Sequence, residues 1–358
     1  MSIKWIRNSE LVTLRVELVA VNSKELTLHY TQALHAWFLR QIQQIDPDLS
    51  QQLHDNPENK AFTISRLQGD LLLINRQVQI SRGKRYYFLI SALSKAVVDC
   101  LKKWLKNYSK SISVHNVSFT IEQIVVEHQP TTYKKLITDL GKQKFTFSFI
   151  SPTCFRRQGH DFPFPLPYNL FDSYLRRWNY FTEQTYDTHD FLAWIENYVV
   201  VIRHQLQTCQ VPAGKRGFLT GFTGAIELKL TKEGLKNKDY YCLFSALGKY
   251  ASYCGTGYKT TFGLGQTRLG WLLEEAFSPE VALETLLGNR TQELNHIFLS
   301  VQKRPSGKRA IDICSRRAEI LARREFGESL SSIALDLDMK YEAVKTDLKV
   351  ARRILKEF

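Results

Sequence analysis

The sequence predicts an α+β chain: two tandem ferredoxin-like (RRM-like) domains followed by an α-helical C-terminal extension. Three observations lead there. Over the first 140 residues the apolar periodicity runs strand, helix, strands, helix, strand, which is the βαββαβ plan. A second pass of similar content begins near Lys144, without any repeat of the sequence itself. From about Ser278 the spacing turns helical and stays so. The expected domains are therefore residues 1–140, 141–275 and 276–358.

The elements follow in order. Residues 10–20 (ELVTLRVELVA) alternate as a strand, and 31–45 (TQALHAWFLRQIQQI) carry helical spacing. FTISRL, LLLINRQVQI and RYYFLISAL are rich in β-branched and aromatic residues and read as strands. LSKAVVDCLKKWLKN reads as a helix and SVHNVSFTIEQIVVE as one strand. In the second half KFTFSFIS is a strand, while Asn169–Trp178 and Phe191–Leu206 carry helical spacing. FLTGFTGAIELKL reads as a strand pair broken at its glycines, and YYCLFSALGKYASYC as a helix. A glycine-rich stretch, GTGYKTTFGLGQTRLG from Gly255, then leads to the end of this half.

Composition narrows the function. The 358 residues are 44% hydrophobic and 23% charged, as in ordinary globular proteins, but the formal net charge is +14. A surplus of that size predicts an anionic partner, nucleic acid first. No stretch approaches the roughly 20 apolar residues of a membrane span, and the N-terminus reads as a strand rather than a signal peptide. Six cysteines without C-x-x-C spacing suggest buried thiols in a reducing cytoplasm, not a zinc site. The acidic pairs at Asp46/Asp48 and Asp336/Asp338 lack further ligands at metal spacing, so neither metal nor cofactor is expected. The glycine stretch fits neither phosphate fingerprint. Thr260 stands where G-x-G-x-x-G needs its third glycine, and no Gly-Lys-Ser/Thr occurs.

One segment can carry chemistry. DPDLSQQLHDNPENKAFTISRL (46–67) reads as a short helix ending near His54, a turn, then Lys60 entering a strand. On RNA such a pair is sufficient in principle, because the 2′-hydroxyl is a built-in nucleophile. Histidine can move the proton at neutral pH, and lysine can stabilise the extra phosphorane charge.

That segment resembles the one following the first helix in the CRISPR-associated Cas-six endoribonucleases, which cut precursor CRISPR RNA within its repeats without metal. Asp46-Pro47, Leu49, Leu53-His54, Lys60, Phe62-Thr63 and Ser65 match the family pattern in place. Ser151-Pro152-Thr153 is similar to its central strand, Gly221–Leu230 to its next signature, and the glycine-rich stretch to its C-terminal loop. The resemblance runs collinearly over residues 10–272. It implies cleavage of repeat RNA by 2′-hydroxyl attack, giving 2′,3′-cyclic phosphate and 5′-hydroxyl ends. The implied partners are precursor and processed repeat RNA and a CRISPR effector complex. The alternative is a non-catalytic repeat-RNA binder, or a DNA-binding regulator acting through the tail.

Site expectations follow from the resemblance. His54 and Lys60 are the catalytic candidates. Some family members place a tyrosine on the first helix where this chain has Leu39, and His35 on that helix is the rival to His54. His29 and Tyr30 stand nearby as lesser candidates. Gly255, Gly257, Gly263 and Gly265 form the loop, with Lys259 available to a phosphate. Arg82, Lys84, Arg85, Arg156, Arg157 and Arg268 are expected RNA contacts, and Arg176/Arg177 and Lys215/Arg216 are further basic pairs.

In the tail, GESLSSIALDLDMKYEAVKTDL resembles a helix-turn-helix of the sigma-factor region-four kind. Ala334 is expected at the close helix contact, Asp338-Met339 at the turn and Val344 on the inner face. Residues 303–358 hold 14 basic against 9 acidic side chains, and Lys340, Lys345, Lys349, Arg352 and Arg353 stud the second helix. Nucleic-acid contact and simple packing are both open readings for this unit.

Overall fold

The computed structural model describes residues 5–26, 30–55, 60–74, 77–139, 141–212, 218–277, 279–301 and 308–358. Val12, Leu14, Val16 and Leu18 alternate along β1 (Leu11–Ala20) and are fully buried, which puts this strand in the middle of a sheet. After it come β2 (Lys24–Leu26), α1 (Tyr30–Gln43), α2 (Pro47–Asp55), β3 (Phe62–Ile64), β4 (Gln68–Gly69), β5 (Leu72–Ile74), β6 (Gln77–Ile80) and β7 (Arg85–Ala92). Next are α3 (Lys95–Trp104), β8 (Ser111–Val114) and β9 (Val117–Thr131). The sheet order is β3-β7-β1-β9-β8, with β4 also on β7, and β1 runs antiparallel to both neighbours. Without the β8 hairpin arm this is the ferredoxin-like order. α3 starts where Ser94 accepts a hydrogen bond from Val97 N, and it buries Val97, Val98, Leu101 and Trp104 at helical spacing.

A short helix α4 (Tyr133–Thr138) leads to the second unit. It holds β10 (Lys144–Thr153), β11 (Phe155–Arg157), β12 (His160–Phe162), α5 (Pro167–Phe181), α6 (Thr188–Tyr198), β13 (Val199–Pro212), β14 (Phe218–Leu230), α7 (Lys238–Cys254) and β15 (Thr267–Leu269). Its sheet order, β13-β14-β10-β15, repeats that of the first unit: second, third, first and last strand of each βαββαβ pass. Both halves are ferredoxin-like, each with its own apolar core.

Three sequence expectations are corrected. Residues 199–206 are strand, not helix: β13 begins at Val199, the residue that caps α6. FLTGFTGAIELKL is one continuous strand, because Gly224 at φ +122° keeps the ladder to β13 unbroken through Leu206. SVHNVSFTIEQIVVE is a hairpin that turns at His115, φ +51°.

The extension comprises α8 (Leu273–Ala276), α9 (Pro279–Ser300), α10 (Lys308–Glu325), α11 (Leu330–Asp336) and α12 (Tyr341–Glu357). α9 joins everything. Its Leu283 enters the first core, and Gly288 lies against Gln210 of β13. Leu287, Leu294 and Phe298 share a third core with α10, α11 and α12. Glu280 and Glu284 meet the buried Arg66 guanidinium at 3.1 and 2.6 Å. Among the described residues no helix is long and apolar enough to cross a membrane. All six cysteines are free thiols, five of them buried.

Candidate active site

The glycine-rich loop joins α7, the last helix of the second unit, to β15, its last strand. Gly255, Gly257, Gly263 and Gly265 all have positive φ, between 66° and 77°, and Lys259 adopts the left-handed conformation at φ 59°. Helix α5 grips the loop from one side. Ser173 Oγ accepts from Gly257 N at 3.0 Å, and Tyr174 Oη meets Thr256 Oγ1 at 2.7 Å. Arg177 donates to the carbonyls of Cys254 and Gly255, at 3.1 and 3.0 Å, and to that of Gly257. In the sequence Arg177 stands out only as half of a basic pair. Its i, i+4 spacing from Ser173, one turn along the same face, is the signal that marks it.

The loop then crosses to the first unit. Gly263 N donates to Ile64 O at 3.1 Å, and Thr63 Oγ1 donates to Tyr253 O at 3.3 Å. A Cβ on Gly263 would come within 2.8 Å of Arg66 Cγ and 2.9 Å of Thr31 Cγ2. Only glycine fits between the loop and α1 here. The close seating delivers two loop residues to His35. Thr261 O lies 3.1 Å from His35 Nδ1, and the Phe262 ring stacks on the imidazole at 4.3 Å between centroids. A carbonyl only accepts, so Nδ1 carries the proton and Nε2 keeps its lone pair. Burial lowers the His35 pKa to about 4 against the Thr261 hydrogen bond, which raises it, and the charges of Lys60 and His54 add smaller lowering effects. His35 is thus a neutral base at pH 7.

His54 and Lys60 share this neighbourhood. His54 sits exposed on the last turn of α2, with Nδ1 3.2 Å from Asp55 Oδ1. Lys60 Nζ donates to His54 O at 2.8 Å and to Leu53 O, tying off the end of α2. Partial burial lowers the Lys60 pKa, against a smaller opposing effect of Asp55. Leu39 lies one turn beyond His35 on the same face of α1 and packs on the first core. That face presents an imidazole, not a phenol.

Other expected contacts scatter. Arg156 bonds Gly159 O at 2.7 Å and lies over the Tyr258 ring at 5.4 Å, and its charge lowers the pKa of Lys259 after burial does. The β11–β12 hairpin therefore meets the loop, with Arg157 over Phe162. Arg85 opens β7, seven residues from Ala92, which pairs with Phe62, and Arg82 and Lys84 precede it in the chain. At about 3.3 Å per residue that is roughly 23 Å away. Lys84 and Arg85 face Asp70 and Glu122 there.

Arg268 is engaged inside the protein. It pairs with Glu275 at 2.5 Å and Glu127 at 3.6 Å and reaches Gln68 and Tyr87 at 3.3 Å, which makes it a tether between the two halves. Tyr30 is buried on Glu280, at 3.2 Å. His29, Lys215 and Arg216 lie outside the described residues. Among the described residues no group of three His, Cys, Asp or Glu could hold a metal ion.

Sequence profiles of known families decide the kinship. The profile of the CRISPR Cas6 N-terminal domain matches residues 13–137, and that of the CRISPR-associated endoribonuclease Cas6 matches residues 147–267. The chain belongs to the Cas6 family. Both Cas6 matches end before α9, so the extension lies outside them.

Solved Cas6 structures share the fold. A Cas6 product complex is 21% identical, with a TM-score of 0.60 over 73% of this chain and 100% of that one. Thermus thermophilus Cas6 is 22% identical, TM-score 0.56, covering 73% and 99%. The product of a Cas6-related gene from Pyrococcus furiosus is 14% identical, TM-score 0.53, covering 73% and 98%. No curated protein sequence matches the chain.

Proposed function

We propose that this Cas6 protein cleaves CRISPR repeat RNA without a metal ion, by attack of a 2′-hydroxyl on the adjacent phosphate. The observation that carries the reading is the His35–Thr261 pairing, which puts the proton on Nδ1 and leaves the Nε2 lone pair open on a ring that burial disfavours charging, near Lys60 and His54. Nε2 of His35 takes the proton from the 2′-hydroxyl as its oxygen bonds to phosphorus. The Lys60 ammonium, with one N–H beyond its two to the end of α2, offsets the added negative charge. His54, exposed on the last turn of α2, gives a proton to the departing 5′-oxygen. The products are a 2′,3′-cyclic phosphate and a 5′-hydroxyl, so atoms and protons balance. The other end of the loop, with Lys259, Arg156 and Arg157, supplies positive charge for the RNA backbone.

The reading is supported by membership of an endoribonuclease family, and by relatives whose structures are described as product and substrate mimic complexes. The test uses repeat RNA in excess EDTA, intact or with a 2′-deoxy nucleotide before the cut. Cleavage is expected with the first and none with the second, while both bind. Cleavage of the deoxy substrate, or loss of activity in EDTA, overturns the mechanism.

A further inference from the structure

Helices α10, α11 and α12 have no role in the chemistry above, yet ion pairs as well as an apolar core join them to one another. α11 and α12 are joined by four residues. Asp338 takes the left-handed conformation at φ 55°, and Met339 N bonds Ala334 O at 2.9 Å, so the chain turns sharply. Ala334 and Val344 are buried at the crossing.

Two ion-pair sets, one partly buried and one around a buried guanidinium, then join the helices. Asp347, on the inner face of α12, accepts from Arg316 Nε at 2.8 Å and Arg317 Nε at 3.0 Å, both on α10. Arg323 of α10, 2% exposed, holds Glu328 at 2.5 Å, just before α11, and Asp336 at 2.7 Å, its last residue. Such pairs add little net stability but set one geometry, because any other arrangement strands a buried charge.

What they orient is the outer face of α12. Val344, Asp347, Leu348 and Ala351 point inward, and Lys345, Thr346, Lys349, Arg352, Arg353 and Lys356 are exposed. Beyond Tyr341 at its start that face is polar, which speaks against a protein partner needing an apolar stripe. It carries five cations. The acids that touch them, Glu342 at 3.8 Å from Lys345 and Glu357 at 4.0 Å from Arg353, form only loose surface pairs. A rigid, outward, cationic helix of 17 residues, about 25 Å long, matches the major groove of B-form DNA, which is about 12 Å wide. The A-form RNA major groove is too deep and narrow to admit it.

We propose that the extension is a duplex-DNA-binding module distinct from the RNA site, with α12 in the major groove. Lys345 and Thr346, in its first turns, face base edges. Lys349, Arg352, Arg353 and Lys356 hold phosphates along the flanks. One such helix reads only a short site, so affinity rests heavily on the phosphate contacts.

The test uses the full chain with a fluorescent pool of random-sequence 30-base-pair duplex DNA, enriched for bound sequences. Duplex RNA and single-stranded RNA of equal length serve as competitors. Duplex DNA is expected to bind and to resist both competitors. In the triple variant K349A/R352A/R353A the slope of log affinity against log salt should fall by about 0.9 for each phosphate that no longer meets a cation. Lys345→Ala should weaken binding to the enriched sequence roughly 5- to 150-fold, with unselected DNA little affected. Every substituted side chain is exposed, so an unchanged melting temperature and repeat-RNA affinity show that the body is intact. Equal DNA binding by wild type and triple variant overturns the proposal. So does a triple variant that loses repeat-RNA affinity instead, since that would make α12 an RNA grip.

Discussion

Thr261 holds its carbonyl 3.1 Å from Nδ1 of His35, so a loop of the second ferredoxin-like unit decides which ring nitrogen of a helix in the first unit carries the proton. That tautomer is set only when the two halves are seated on one another. This division of labour gives different expectations for the two histidines.

His35→Ala and His54→Ala should each lower the cleavage rate by roughly 10²–10⁴, with RNA affinity little changed. A substrate whose departing 5′-oxygen is replaced by sulfur separates them, because a thiolate leaves without help from an acid. The sulfur substrate should restore the His54 variant and leave the His35 variant slow. The opposite pattern would exchange the two roles.

Gly263→Ala should be costly, because this loop position is buried against the first unit. Its φ of +77° disfavours any side chain, and the added carbon meets Arg66 and Thr31 at 2.8 and 2.9 Å. Left-handed strain alone is worth about 1–3 kcal/mol. The urea midpoint should drop accordingly. Single-turnover cleavage should slow as well, because Thr261 and Phe262 shift with the loop. A destabilised variant that cleaves at the normal rate would separate the loop from the chemistry.

Acid should weaken the fold partly through His35. Its folded pKa, about 4, lies below the ordinary 6.5, so the unfolded chain binds more protons between those values. The contribution is present above pH 6.5 and is lost as pH falls toward 4. Other buried groups titrate too, among them His128, whose pKa burial also lowers, and Glu284, raised by burial to about 7. The informative measurement is therefore a difference. Urea unfolding of wild type and His35→Phe from pH 4.5 to 7.5 should show a flatter acid limb in the variant. Coincident slopes would mean that His35 is not held neutral.

Arg66→Ala should cost about 3–5 kcal/mol, the usual penalty for leaving a buried charge without its partner. Here two carboxylates, Glu280 and Glu284, would be stranded. Glu284→Gln should cost much less, since Glu280 still faces the guanidinium. Denaturant midpoints of the two variants rank the effects, and a mild Arg66→Ala would show that water replaces the pair readily.

Much of this is legible in the chain. The alternation in β1, the helical spacing of α1 and α3 and the Leu53-His54/Lys60 segment identify their elements because each obeys one period over its whole length. β13 is not legible. Phe191, Leu192, Trp194, Ile195, Tyr198, Val199 and Ile202 keep helical spacing straight through the α6–β13 junction, and no glycine or proline marks it. Only the β-branched run Val199–Ile202 hints at the strand, and three of those side chains are exposed at its outer edge. The site is half readable. His35, His54 and Lys60 can be named as candidates, but the tautomer of His35 is set by Thr261, 226 residues away. Arg268 reads as an RNA contact because its partners Glu127, Gln68 and Tyr87 are equally remote in sequence.

Protein synthesis gives the α9 contact a consequence in time. Arg66 leaves the ribosome 214 residues ahead of Glu280, and at about 5–20 residues per second the gap is roughly 10–40 s. Throughout that interval the two carboxylates that neutralise the guanidinium do not yet exist, and Leu283 has not filled its place in the first core. A nascent chain interrupted anywhere before Glu280 thus carries a marked N-terminal half, charged and open where the finished one is sealed. Completion of the first core is thereby tied to residues 280–284, far beyond the domain that the core belongs to.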